Sequence, residues 1–202
     1  MDKLEEQIRT IRIDAKERKI PIVRDVTASK LYSEVHKCKP KRILEIGTAV
    51  GYSTLIMKYA HYDAEIITIE KDTDRYQEAV NNIEDANVNG IKCVLGDAFD
   101  VLQELSKDGE KFDFIFLDGP KGYYYRYLQL IKQMLNINGC IFADNVAFFG
   151  MVASNIYPHR HKTIVVSLQK YLEEVSNPPY KTDTNLDIDD GYAITYYMGE
   201  LK

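Results

Sequence analysis

Three oxygen-bearing side chains and one amine stand where two apolar runs end. Asp118 closes FDFIFLD (112–118), Asp144-Asn145 closes CIFADN (140–145), and Lys121 follows Asp118 by three residues, just ahead of Gly122. If the two runs are neighbouring strands of a parallel sheet, Asp118, Asp144 and Asn145 meet at one rim. Carboxylate and amide oxygens suit a hard cation such as Mg²⁺, which normally keeps open or water-filled positions. Each residue alone has a plainer use, because Asp and Asn commonly cap helices and turns. A loop lysine is ordinarily just solvated.

A second constellation lies earlier in the chain. The run RILEIG (42–47) leads into Glu45-Ile-Gly47-Thr-Ala-Val-Gly51-Tyr-Ser53, a strand-to-helix turn bracketed by two glycines, which lets a ligand approach the backbone closely. The G-x-G-x-x-G fingerprint and the Lys-Ser/Thr of a phosphate loop are both absent, so the turn alone is weak evidence. Glu70 ends IITIE (66–70), 23 residues after Gly47, where an acidic side chain can accept hydrogen bonds from both ribose hydroxyls. Its plainer reading is a solvated strand-end glutamate beside Lys71. Asp97, in Gly96-Asp97-Ala98, could meet an adenine amine or merely cap the next helix. Together and in this order, these residues favour an adenosyl cofactor.

The elements that must position these groups follow from periodicity. Residues 2–19 place Leu4, Ile8, Ile11 and Ala15 at helical spacing, and Pro21 is expected to end that helix. A second helix is expected from about Thr27 to His36, with Leu31 and Val35 facing inward. Short apolar runs at 42–47, 66–70, 91–96, 112–118 and 140–145 then alternate with helical patterns around 52–61, 74–86, 98–106, 122–135 and 161–175. Runs apolar on both faces and separated by helices indicate a parallel sheet covered on both sides. YKTDTNLDI and GYAITYYMG, joined by a short turn at Asp189-Asp190, read as an antiparallel edge hairpin. The expectation is a single doubly wound α/β domain over residues 1–202, with an N-terminal helical extension (1–40) and a catalytic core (41–202).

The composition agrees with one soluble domain: 202 residues, 45% hydrophobic, net charge −5. No stretch approaches the roughly 20 apolar residues of a membrane-spanning helix. The charged start MDKLEEQIRT is unlike a secretory signal, so a cytoplasmic protein with no membrane partner is expected. Cys38, Cys93 and Cys140 lie far apart in apolar neighbourhoods, which reads as three buried small hydrophobes.

LEIGTAVGYST, IITIEKD, LGDA, FDFIFLDGPKG and ADNV resemble, in order, the motifs of the metal-dependent O-methyltransferases, over about Ile20 to Gly199. That family includes catechol and caffeoyl-CoA methyltransferases and a bacterial tRNA 5-hydroxyuridine methyltransferase. The resemblance implies the class I methyltransferase fold, a Rossmann-like seven-stranded, mostly parallel sheet with a reversed edge hairpin. It implies contacts to S-adenosylmethionine (SAM) from Val23, Glu45, Gly47, Ser53, Glu70, Asp97, Ala98 and Asp118. Asp118, Asp144 and Asn145 would hold Mg²⁺ or another divalent cation. Lys121 would be the general base, its pKa lowered by the cation and the sulfonium, with Asp118 and Asp144 completing the catalytic set. Homodimers are common in the family, and one is expected here.

The mechanism that the resemblance implies demands two adjacent substrate oxygens, as in a catechol or in 5-hydroxyuridine. The PIV segment, the GTAVGYS form of the loop, DNVAFFGMVA and HKTIV are nearest the tRNA enzyme, while GPK at 119–121 departs modestly from the small-residue versions expected. Tryptophan, which walls the pocket of animal catechol enzymes, is absent. Residues 1–42 hold 12 Lys or Arg against 7 Asp or Glu, net +5, whereas residues 43–202 hold 14 against 24, net −10. Arg9, Arg12, Lys16, Arg18, Lys19 and Arg24 could line a phosphate-binding surface, with His159-Arg160-His161-Lys162 as a second basic patch. Tyr123, Tyr124, Tyr125 and Phe148 could stack on an unpaired base, or belong in part to the core. The resulting expectation is methylation of 5-hydroxyuridine at the wobble position of the tRNA anticodon loop, giving 5-methoxyuridine. The alternative is a small phenolic substrate.

Overall fold

The computed structural model describes residues 3–199. The chain divides into two compact units, Met1–Val101 and Leu102–Lys202.

In the first unit, α1 (Lys3–Glu17) buries Leu4, Ile11 and Ala15, the expected stripe, and leaves Ile8 half-buried. Asp2, at the start of the expected helix, lies outside the described residues. Pro21 does not end this helix. Lys19 turns to a left-handed φ of 57°, Ile20 N–H donates to the Ala15 carbonyl (2.8 Å), and Lys19 N–H donates to that of Lys16 (3.3 Å). This is the paired closure of a Schellman turn, so α1 has capped itself before the proline is reached. α2 (Asp25–Cys38) runs beyond the expected span at both ends and buries Thr27, Leu31 and Val35. β1 (Arg42–Ile46), α3 (Tyr52–Ala60), β2 (Glu65–Glu70), α4 (Thr73–Ala86) and β3 (Ile91–Leu95) follow. β1, β2 and β3 pair in parallel, with Ile43 opposite Ile66 and Ile66 opposite Ile91. Burial on both faces holds for β1 but not for β3, an outer strand whose Lys92 and Leu95 are exposed.

α5 (Ala98–Lys107) carries the chain into the second unit, which holds β4 (Phe112–Leu117), a 3-10 turn at Lys121–Tyr123, α6 (Tyr124–Met134) and β5 (Leu135–Asp144). A four-residue helix α7 (Met151–Ser154), a 3-10 turn at His159–His161, α8 (Lys162–Val175), β6 (Tyr180–Asn185) and β7 (Tyr192–Tyr197) complete it. β4 is parallel to β5, whose apolar half Cys140–Asp144 is buried. β5 begins five residues before the apolar run, because its first half, with buried Leu135 and exposed Ile137 set among Asn136, Asn138 and Gly139, has no continuous apolar run. β5 and β7 are antiparallel, as are β7 and β6, with Phe142 opposite Ile194 and Thr182 opposite Thr195. The hairpin link spans residues 186–191 and is longer than the expected Asp189-Asp190 turn, because Asn185 Oδ1 first accepts the N–H groups of Asp187 and Ile188.

The seven strands lie in one sheet in the order β3-β2-β1-β4-β5-β7-β6, mostly parallel with an antiparallel edge pair. Of the cysteines only Cys140 is buried; Cys38 and Cys93 are half-buried, so the expectation of three core cysteines fails for two. Burial and the charge of Glu45 push the Cys93 thiol up to about 11, which keeps it protonated. Among the described residues, no helix is long and apolar enough to cross a membrane.

Candidate active site

In the first unit the candidate cofactor residues gather on the loop after β1. Gly47 and Gly51 both have positive φ, 102° and 85°, which explains glycine at each position. The loop is joined to β2 along its main chain: the N–H groups of Gly47 and Thr48 donate to the Ile69 carbonyl at 3.0 and 3.2 Å, and Ala49 N–H donates to Glu70 Oε2 at 2.8 Å. Glu70 Oε1 accepts the N–H groups of Lys71 and Asp72, each at 2.9 Å. A carboxylate has about four acceptor positions. The half-exposed Glu70, fixed by three main-chain donors, therefore keeps capacity for a ligand hydroxyl.

Glu45 behaves differently. None of its surface is exposed, and its carboxylate accepts from Ser53 Oγ (2.5 Å), Thr54 Oγ1 and Thr68 Oγ1 (2.6 Å). Because the Thr68 proton goes to Glu45, the 2.5 Å contact between Thr48 Oγ1 and Thr68 Oγ1 requires Thr48 to donate. Glu45 thus anchors the loop and the first turn of α3 rather than reaching out to a ligand, and Ser53 is committed to that anchor. Thr54 and Thr68 belong to the same hub; both lie within the motif segments but are not among the expected site residues. Val23 and Ala98 are buried, and Asp97 is exposed with Oδ1 accepting Phe99 N–H at 2.9 Å, a cap on the start of α5.

In the second unit Asp118 and Lys121 come together, with Nζ 2.9 Å from Asp118 Oδ1 and both side chains about four-fifths buried. Asp144, only 3% exposed, accepts Asn145 N–H on Oδ1 at 2.8 Å. Asn145 sits in the left-handed region (φ 57°), which asparagine tolerates better than most residues. Burial first, and the negative charge of Asp118 second, push the Asp144 carboxyl up to about 7; the Asn145 N–H and Lys121 offset this only in part. Tyr124 joins the two strand ends, its hydroxyl lying 2.8 Å from the Leu117 carbonyl and 3.0 Å from that of Asp144. Burial, followed by Asp118 and Asp144, keeps this phenol protonated and therefore a donor.

Several residues expected to meet RNA are engaged elsewhere. Tyr124 is wholly buried and cannot stack on a base, whereas Tyr123 is 45% exposed. Arg12 and Lys16 both pair with Asp25, at 2.5 and 2.8 Å, and Arg18 pairs with Asp14 and Glu78, at 2.7 and 2.6 Å. Arg9, Lys19 and Arg24 are exposed. In the second patch, His159, Arg160 and Lys162 are exposed, and the Phe148 ring packs edge-on against His161 at 5.4 Å.

Over residues 6–196 the sequence matches the family described as O-methyltransferase. The chain belongs to the O-methyltransferase family. It is 30% identical over 165 residues to the flavonoid 3',5'-methyltransferase of Vitis vinifera, covering 76% of this chain and 69% of that one. It is 36% identical over 118 residues to the catechol O-methyltransferase of Niastella koreensis, covering 57% and 53%. The structure of SAH-bound methyltransferase PaMTH1 from Podospora anserina matches with a TM-score of 0.78 at 27% identity, covering 98% of this chain and 88% of that one. This O-methyltransferase is SAM-dependent.

A divalent cation fits the second-unit residues of this methyltransferase. Two carboxylates, one buried enough for its pKa to reach about 7 beside the other, are short of positive charge even with Lys121 present. Hard oxygen donors are also the ligands such a cation prefers. Among the described residues no cluster of three or more His, Cys, Asp or Glu forms; the oxygen donors that would hold such a cation are Asp118, Asp144 and the Asn145 amide.

Proposed function

We propose that this methyltransferase transfers the SAM methyl group to one of two adjacent oxygens on a small phenolic substrate, with Mg²⁺ or another divalent cation at Asp118, Asp144 and Asn145. The observation that carries this reading is the buried Asp144 carboxyl beside Asp118, with Lys121 Nζ at hydrogen-bond distance from Asp118. A cation bound there supplies the charge that grips neighbouring oxygens and makes a hydroxyl more acidic. Lys121, held in place by Asp118, accepts the hydroxyl proton at Nζ once its own has been released. In the first unit, Glu70 accepts from a ribose hydroxyl and Asp97 from the adenine amine, while Val23, Gly47 and Ala98 line the nucleoside. Glu45 and Ser53 hold the loop that receives it. The flavonoid and catechol methyltransferases among the relatives support a phenolic acceptor.

A second reading, methylation of 5-hydroxyuridine in tRNA, draws on the basic run 159–162 beside Phe148 and the exposed Phe149. Basic residues interleaved with aromatics suit single-stranded RNA. One assay separates the two. The full chain is incubated with labelled SAM and Mg²⁺ and offered catechols, flavonoids with vicinal hydroxyls, their monohydroxy analogues, or tRNA containing 5-hydroxyuridine. Transfer to the vicinal diols is expected, abolished by a chelator and reduced about 100-fold or more in Lys121→Ala, the usual worth of a positioned base. Transfer confined to tRNA would reverse the order of the two readings.

A further inference from the structure

We propose that Tyr124 is a positioning residue that sets the separation of Asp118 and Asp144 by cross-linking the main-chain ends of β4 and β5. The inference rests on the reading of Asp118, Asp144 and Asn145 as a divalent-cation site.

The main-chain pairing of β4 and β5 ends at Leu117 opposite Ala143, one residue short of each carboxylate. Beyond that point the next amide, Asn145 N–H, turns back to Asp144 Oδ1. Tyr124, the first residue of α6, inserts its hydroxyl at this open end. It lies 2.8 Å from the carbonyl of Leu117, which is bonded to Asp118, and 3.0 Å from the carbonyl of Asp144 itself. A phenol has one proton and the carbonyls have none, so the hydroxyl shares its donor between two acceptors and draws them toward one point. The ring is held independently by edge-on packing against Tyr171, with centroids 5.8 Å apart. The tether is therefore anchored in the core and not in the site.

The negative charge of Asp118 acts on Asp144 and Lys121 offsets it only in part, so the two strand ends carry a repulsion that the shared hydroxyl opposes. A cation site needs its ligands prearranged, because ligands that must be gathered first lower the affinity. Hydrogen-bond partners lying behind metal ligands typically account for about 10- to 100-fold in metal affinity or activity. Sequence spacing does not single out Tyr124 from the run Tyr123-Tyr124-Tyr125; only its burial and its two carbonyl partners do.

The test is Tyr124→Phe in the full chain, which keeps the ring packing and removes only the tether. Mn²⁺ binding is measured by paramagnetic resonance, SAH binding by calorimetry, and folding by circular dichroism, with Asp144→Ala and Tyr171→Phe as controls. The wild type is expected to bind Mn²⁺ and Asp144→Ala to lose it. Tyr124→Phe is expected to bind Mn²⁺ about 10-fold or more weakly with SAH affinity unchanged. Tyr171→Phe, which removes a buried hydroxyl from the other ring of the pair, should match the wild type. A folded Tyr124→Phe with wild-type Mn²⁺ affinity overturns the positioning role while leaving the cation site standing. Equal losses in Tyr124→Phe and Tyr171→Phe also overturn it, since general loosening of the core would then suffice. Wild-type protein whose Mn²⁺ binding is indifferent to Asp144→Ala overturns the cation site and this role together.

Discussion

The environment of Asp144 departs far from that of an ordinary carboxylate, and the departure has a sign that can be measured. Its folded-state pKa of about 7 lies above the usual 3.8, so the folded chain holds this proton more tightly than the unfolded chain does. The group's contribution to stability is fully present below about pH 4 and is lost as the pH rises toward 7, where burial must accommodate a charge. Without added metal, Asp144→Asn should lose less stability than the wild type over that interval, seen as a flatter dependence of the thermal midpoint on pH. Adding Mg²⁺ at pH 7 should raise the midpoint of the wild type and leave Asp144→Asn nearly unmoved. A wild-type midpoint that rises from pH 4 to pH 7 in parallel with the variant would mean that the carboxyl is not destabilised by burial beside Asp118.

At the scale of elements, Glu45 does what no single strand or helix could do, because its carboxylate joins β1 to α3 through Ser53 and Thr54 and to β2 through Thr68. Glu45→Ala strands three hydroxyls. At about 1–3 kcal/mol for each buried donor left unsatisfied, it should destabilise the chain by about 3 kcal/mol or more in denaturant unfolding and weaken SAH binding with it. Glu45→Gln retains acceptor and donor capacity and should lose appreciably less. Equal stability for wild type and Glu45→Ala would refute the hub.

The strand positions and both glycines of this loop are legible from apolar runs and motif spacing. The role of Glu45 is not, because a motif records that an acid stands at a position and says nothing of which hydroxyls fold around it. The same holds for β5, whose apolar half shows in the sequence, while its first half, where only Leu135 is in register with β4 before the ladder shifts to Cys140, does not. The end of α1 likewise escapes prediction, since Lys19 gives no hint of the left-handed turn that a glycine would advertise.

For the whole molecule, the partition of charge is real in sequence but partly cancelled in space. Residues 1–42 carry net +5, a sum that already counts Asp14 and Asp25; Arg12 and Lys16 are paired with Asp25, which they hold well below the usual carboxylate range, and Arg18 pairs with Asp14 and, outside this segment, with Glu78. A neutral phenol should therefore be methylated at a rate that barely changes between about 50 and 200 mM salt, whereas a polyanion gripped through 6–10 phosphates would lose about 10³–10⁵ in affinity. A steep salt dependence of turnover would speak for the nucleic acid.

In the Gly47–Gly51 loop the amides of Gly47, Thr48 and Ala49 are already spoken for on Ile69 and Glu70, and that of Gly51 on Thr48. On the proposed reading, a nucleoside docking there would meet a cast mould, not a strand waiting to be shaped. Little conformational freedom remains to be surrendered on docking, and the strength of that docking is then governed by how well the ligand's own groups match a surface set in advance.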